Sequence, residues 1–361
     1  MPSFNFHPGF AGHGMRCNPW QPTQYILTAA EHFGVVGSGK VYIVNTAPGV
    51  PPGSPVSLLG CWGTSDGAFD ACFSEVDQNI VAVACGDGVK LYNVQQSLNL
   101  DGAPPLVHIM EHQGEVAGVT WNRDNFLSCS WDGSVKIYQA ANPNASCMTF
   151  QEHMKEVYEV ACSTRNPASF LSCSGDGTWK LWDARTPRSV LTQVGHNHQI
   201  VLSIDWNKYD GCLFASGGVD RTVRLWDLRR PTQPLASLPG HENACRRVRF
   251  SPHSRVLLAS AGYDCRVCIW DLNQPQRPLV GRYAHHREFV VGLDWSLAVP
   301  NALASASWDG RVFFWVSGQQ VTPSPPLPQL PAAVPPPRVR VPRNKVLPGL
   351  PPAPPAIPVQ Q

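Results

Sequence analysis

The stretch FLSCSGDGTWKLWDA (170–184) returns along the chain as FLSCSWDGSVKIYQA (126–140), FASGGVDRTVRLWDL (214–228), LASAGYDCRVCIWDL (258–272) and LASASWDGRVFFWVS (303–317). Its closing aromatic falls at Tyr42, Tyr92, Tyr138, Trp182, Trp226, Trp270 and Trp315, in steps of 50, 46, 44, 44, 44 and 45 residues. A period near 45, with Trp-Asp endings, belongs to a four-stranded sheet repeated around a central channel. Seven closing strands predict an all-β, seven-bladed propeller over residues 1–317.

Composition changes after that point. Residues 316–361 hold 15 of the 35 prolines, no Asp or Glu, and four cations at Arg338, Arg340, Arg343 and Lys345. With a net charge of +2 for the whole, the rest of the chain carries about −2. No basic stripe marks the chain as a DNA or RNA binder. Segment 318–361 reads as a disordered, partly polyproline II tail, of a kind that SH3 or WW domains can grip. The N-terminus lacks the apolar core of a secretory signal and no apolar run is long enough to span a bilayer, so a cytoplasmic protein is expected.

The repeated sentence resembles the WD-repeat family over roughly residues 5–317. That resemblance implies a hydrogen-bonded chain in which a His lies between an Asp and a Ser, and the Ser reaches a Trp N–H. The matching positions are His112, Ser128 and Asp132; His153, Ser172, Asp176 and Trp182; Ser216, Asp220 and Trp226; His241, Ser260, Asp264 and Trp270; His286, Ser305, Asp309 and Trp315. A buried Asp or His must be paired or it costs several kcal/mol. A Ser-His-Asp set recurring in blade after blade argues architecture, since an active site needs one copy. No nucleophile elbow, phosphate loop or zinc-protease motif accompanies it, so no enzyme, cofactor or metal is expected. The Cys265–Cys268 pair reads as two strand residues on opposite faces, which suits packing better than chelation.

Several blades depart from the pattern. Blade 1, AEHFGVVGSGKVYIV (30–44), lacks the Asp, and blade 2 is one residue short between Asp87 and Tyr92. His196 stands one residue out of step, and blades 2 and 3 close on Tyr, which has no indole donor. Proline clusters at Pro48–Pro55 and Pro104–Pro105 read as lengthened loops between blades. The N-terminal segment is expected to supply the outer strand of the last blade, because the chain turns to its tail after Trp315.

A rigid disc acts through a face or rim. Two repeat positions point to one face. The first precedes the turn Asp: Trp131, Gly175, Val219, Tyr263, Trp308. The second opens each inner strand and includes Asp66, Phe69, Glu115, Glu156, Tyr158, Arg246 and Glu288. Aromatics beside carboxylates suit a helical peptide that is apolar with a basic residue.

AEHFGVVGSGKVYIV (30–44), WGTSDGAFDACFSE (62–75), ENACRRVRFSPHSRVLLASAGYD (242–264) and HHREFVVGLDWS (285–296) resemble receptors of the type-2 peroxisomal targeting signal, the peroxin seven family. The resemblance implies a receptor that carries matrix proteins bearing an N-terminal targeting helix to the peroxisome, or to a glycosome. It further implies a co-receptor covering the helix, docking proteins at the organelle, and cycling between cytosol and organelle. The signal's Arg is assigned to Asp66 and Glu115, with Glu156 and Glu288 as further carboxylates. Trp131, Tyr158, Tyr263 and Trp308 are assigned to its apolar side. The fold equally permits a generic scaffold, such as a ubiquitin-ligase substrate subunit or a histone-tail reader.

Overall fold

The computed structural model describes residues 3–46, 56–100 and 102–318. Seven four-stranded antiparallel sheets follow one another, over residues 10–64, 68–109, 116–150, 157–194, 201–239, 245–283 and 290–316. The last is completed by Ser3–Asn5, which pairs with Arg311–Val316 in the register Ser3↔Phe313 and Asn5↔Arg311. The ring is thus closed by its own N-terminus, and Phe4 and Phe6 anchor the clasp with their rings 5.6 and 5.2 Å from Tyr42 of blade 1.

Each middle strand is covered on both faces by neighbouring blades. A strand such as Ile80–Cys85 is therefore almost continuously apolar, with no strict alternation. The outermost strand Ser189–Val194 has one free face and alternates half-buried with exposed residues. Between blades 4 and 5, Trp179, Trp206, Phe214 and Trp226 are all buried. Trp179 meets Phe214 at 4.8 Å and Trp226 at 5.3 Å, both edge-on. Each such side chain contributes roughly 1.5–3 kcal/mol on burial. Cys129, Cys173, Gly217, Ala261 and Ala306 take one small, buried position opposite the inner strand.

The hairpin turn that carries the repeat's Asp needs one left-handed residue. It is Gly133 (φ 84°), Gly177 (81°) or Gly310 (77°) in blades 3, 4 and 7, but Arg221 (69°) and Cys265 (62°) in blades 5 and 6. Glycine takes this conformation without steric cost, whereas the other two are strained. Cys265 consequently lies in the turn and only Cys268 in the strand Val267–Asp271, which corrects the reading of both as strand residues. The two cysteines are nevertheless buried packing groups, 4% and 0% exposed.

Two further expectations change. The Pro104–Pro105 loop joins the third and fourth strands of blade 2, and residues 47–55 join the same strands of blade 1. Both proline clusters therefore fall, in chain order, between strands of one blade rather than between blades. Residues 47–55 themselves, and the tail beyond Gly318 with its proposed SH3 or WW grip, lie outside the described residues.

Candidate functional site

The His-Asp-Ser-Trp sets rivet the loops that shape the disc. In blade 4, His153 Nδ1 lies 2.8 Å from Asp176 Oδ2, its Nε2 lies 2.7 Å from Ser172 Oγ, and Trp182 Nε1 donates to that Oγ over 2.8 Å. Blade 6 repeats this with His241, Asp264, Ser260 and Trp270 at 3.0, 2.7 and 2.8 Å. Blade 3 joins His112 to Asp132 at 2.9 Å and to Ser128 at 2.7 Å. Although burial works the other way, hydrogen bonds from His153 and Thr178 hold Asp176 well below the usual carboxylate range. Burial in turn lowers His153, so the imidazole stays neutral, with its proton on Nδ1 facing the carboxylate.

Three blades differ from expectation. His196, out of step in sequence, joins Asp220 at 2.7 Å and Ser216 at 2.8 Å, while Trp226 Nε1 donates to Ser216 over 2.8 Å. The extra residue is absorbed by a tight turn in which His196, Asn197 and His198 all have positive φ. Blade 1 has no Asp, but Glu31 replaces it: Glu31 Oε2 accepts the Ser38 N–H and hydroxyl, each at 2.9 Å, as Asp132 does from Ser134 at 2.8 and 2.6 Å. In blade 7 the expected Ser305–Trp315 bond is missing. Ser305 Oγ is shared between His286 at 2.8 Å and His285 at 3.2 Å, and Trp315 Nε1 has no acceptor among the described residues. The doubled histidine at 285–286 takes the place of the indole, and His285 packs edge-on against Trp315 at 4.6 Å.

With the loops fixed, one mouth of the channel acquires its shape from bulges. Every inner strand carries one extra residue near its start, and these are His13, Phe69, Ala117, Tyr158, Leu202, Arg246 and Val291. A bulge re-aims a side chain, here onto the rim of the mouth. Combined with the residues before the turn Asp, this produces a belt of rings in contact. Its order is Tyr158, Trp131, Phe69, His13, Trp308, Phe289, Tyr263, with centroids 6.4, 6.5, 5.4, 5.8, 5.3 and 4.6 Å apart. Phe33 lies beside it with its ring tilted against Trp308, centroids 5.1 Å apart. Trp131 is 43% exposed and Phe33 52% exposed, so the belt presents apolar surface to solvent.

The four predicted aromatics thus belong to one belt, but in two pairs joined by Phe69, His13 and Phe289. The single-residue reading of repeat positions passed over His13, Phe33 and Phe289. Burial, with Arg246 and Arg247 nearby, holds His13 neutral down to about pH 3, so it acts as an aromatic member of the belt. Burial and then Glu156 push the Tyr158 hydroxyl up to about 12.

The carboxylates stand at the entry of the inner strands, beside the rings. Asp66 caps the Gly67 N–H at 2.7 Å, and the Glu115 carbonyl accepts the Trp131 N–H at 2.9 Å. Glu156 likewise holds the Gly175 N–H through its carbonyl at 2.9 Å, with its carboxylate over that glycine. These three lie in adjacent blades 2, 3 and 4. Glu288 is exposed and sits apart in blade 7, with blade 1 between. In blade 6 the bulge residue is a cation, Arg246, whose Nη1 donates to the Leu202 carbonyl at 3.1 Å. The rim therefore carries Asp66, Glu115 and Glu156 over blades 2–4 and the cation Arg246 in blade 6. Such a surface can hold an amphipathic cationic segment in one orientation.

Against known proteins, a family model described as WD domain, G-beta repeat matches residues 104–139, 144–183, 187–227, 232–271 and 277–316, more than half of the chain. Blade 1 and the first three strands of blade 2, where the Asp turn is altered, fall outside those matches. The chain is 40% identical over 142 residues to "Peroxisome biogenesis protein 7" of Arabidopsis thaliana, covering 38% of this chain and 43% of that protein. It is 39% identical over 137 residues to the "Peroxisomal targeting signal 2 receptor" of Dictyostelium discoideum, covering 37% and 41%, and 34% identical over 156 residues to the Homo sapiens protein of that name, covering 42% and 45%. The aligned part spans about two fifths of these relatives' length. With seven blades closed by an N-terminal strand and five repeats matched to the family model, this chain belongs to the WD40 repeat family.

Proposed function

We propose that this protein is an import receptor for the type-2 targeting signal of peroxisomal or glycosomal matrix proteins, without catalytic chemistry of its own. The observation that carries the reading is the aromatic belt flanked by Asp66, Glu115 and Glu156 on one mouth of the channel. The printed names of its relatives support it. In this reading the Arg of an amphipathic signal helix pairs with Asp66 and Glu115, and its apolar side lies along Trp131, Tyr158, Trp308 and Tyr263. Glu156 and Glu288 extend the negative rim. The Phe33 loop forms an apolar wall beside Trp308.

Each charge-assisted hydrogen bond is worth roughly 1.5–3 kcal/mol. That alone is a weak affinity, so a co-receptor that buries the outer side of the helix supplies the remainder, and the assembled complex docks at the organelle. No helix among the described residues is long and apolar enough to cross a membrane, which accords with a receptor that cycles between cytosol and organelle.

The test is fluorescence anisotropy of a labelled signal peptide with the double variant Asp66→Lys/Glu115→Lys. Loss of two such bonds predicts binding weaker by about 100-fold or more, with the thermal midpoint within a few degrees of the parent. Unchanged affinity would remove the site. Equal affinity with and without co-receptor would remove the division of labour.

A further inference from the structure

The opposite mouth, at the C-terminal ends of the inner strands, holds a cavity of about 360 Å³. Four cations line it, Arg16, Arg123, Lys208 and Arg249, with three acids, Glu75, Glu159 and Asp205. What matters is which of their hydrogen-bonding atoms are already used.

The two buried acids, Glu159 and Asp205, are occupied. Glu159 Oε1 takes Arg247 at 2.7 Å and Arg249 at 2.6 Å, while its Oε2 takes the Ser203 hydroxyl at 2.5 Å and the Ile204 N–H at 3.2 Å. Asp205 accepts from Lys208 at 2.8 Å and from the Phe250 N–H at 2.7 Å. Glu75 accepts the Arg123 N–H at 2.7 Å. The donors are not exhausted. Arg249 is 4% exposed, yet its Nε–H has no acceptor among the described residues. Arg16 pairs through Nη2, 3.3 Å from Asp70 and 3.9 Å from Glu159. Lys208 has three N–H groups and spends one on Asp205.

A buried donor left without an acceptor is costly and calls for a partner. A cavity whose buried acids are spent while a buried donor is left over selects a ligand rich in acceptors. We propose that this lower mouth binds a compact tetrahedral oxyanion of the phosphate or sulfate class on Arg249, Arg16 and Lys208. Arg249 Nε supplies a fixed, desolvated donor, Arg16 a guanidinium edge, and Lys208 a mobile charge at the entrance. The site is separate from the aromatic belt and does not depend on the signal-receptor reading.

Calorimetric titration of the full chain with inorganic phosphate, at constant ionic strength in chloride, tests it. Two or three charge-assisted bonds predict one-to-one binding with a Kd near or below about 1 mM. Sulfate is expected to displace phosphate, and Lys208→Ala to weaken binding by about 5-fold with an unchanged thermal midpoint. Crystals soaked in selenate should show the anion against Arg249. No saturation by about 20 mM phosphate, displacement by chloride as effective as by sulfate, or a Lys208→Ala variant that binds as the parent does would overturn the proposal, leaving water as the partner of Arg249.

Discussion

Blades 4 to 6 and the seam of blades 7 and 1 are built on the same repeat, yet they spend their side chains differently. In blades 4 to 6 each His, Asp, Ser and Trp finds its partner, with the Trp-to-Ser bond at 2.8 Å every time. At the seam the set is incomplete. Trp315 has no acceptor among the described residues, blade 1 substitutes Glu31, and the turn after Glu31 is lengthened into loop 32–37. That loop exposes Phe33, Val35 and Val36 by 52, 57 and 50%, with left-handed φ at His32 and Phe33. Exposed apolar groups on strained backbone are costly unless something binds them. Regular blades hold the disc together and lend Tyr158 and Tyr263 to its face, while the irregular seam adds the exposed apolar loop beside Trp308.

This contrast can be broken most forcefully by removing a relay histidine. His153→Ala leaves Asp176 buried without its imidazole and is expected to cost about 3 kcal/mol in urea unfolding. His286→Ala is expected to cost about 1–2 kcal/mol, because its contact with Asp309 is longer, 3.2 against 2.8 Å in blade 4, and Ser305 keeps His285. Equal losses would mean that the seam is riveted as firmly as the regular blades. Phe33→Ala reverses the sign of the comparison. The ring is half exposed, so the unfolding midpoint should hold while signal-peptide binding weakens by about 10-fold, the worth of one apolar contact. A destabilised variant with intact binding would make Phe33 a packing residue.

The smallest effect is in pH. Burial, then His286, holds His285 down to about 3. The unfolded chain therefore takes up a proton near pH 6.5 that the folded chain refuses until about pH 3. Stability from this group is fully present above 6.5 and is lost as pH falls toward 3. His285→Phe should flatten the change in urea midpoint between pH 7 and 5, and an unaltered slope would show that His285 takes no part in it.

Much of this was legible in the chain because a propeller is a local repeat. Each blade but the last, which borrows Ser3–Asn5, is one contiguous segment, so spacing alone revealed seven blades, and the turn Asp could be located from its fixed distance to the aromatic. His196 escaped the register because a turn of three left-handed residues absorbs an insertion, and backbone conformation of that kind leaves no mark on spacing. Glu31 escaped because a longer side chain did the work of Asp from a longer loop.

The candidate site was legible in part. Trp131, Tyr158, Tyr263 and Trp308 could be picked out one blade at a time. That His13, Phe69 and Phe289 join them into one belt depends on contacts between blades far apart in sequence. The donor surplus at the lower mouth was invisible for the same reason, since Glu159 is consumed by Arg247 and Arg249 from two blades onward. The amino-acid order by itself determined the blade, its turn and its rivets, all of which form within about 45 residues. Only ring closure decided which side chains meet across the channel, because charge pairing and ring contact act over a few ångströms of space and are indifferent to distance along the chain.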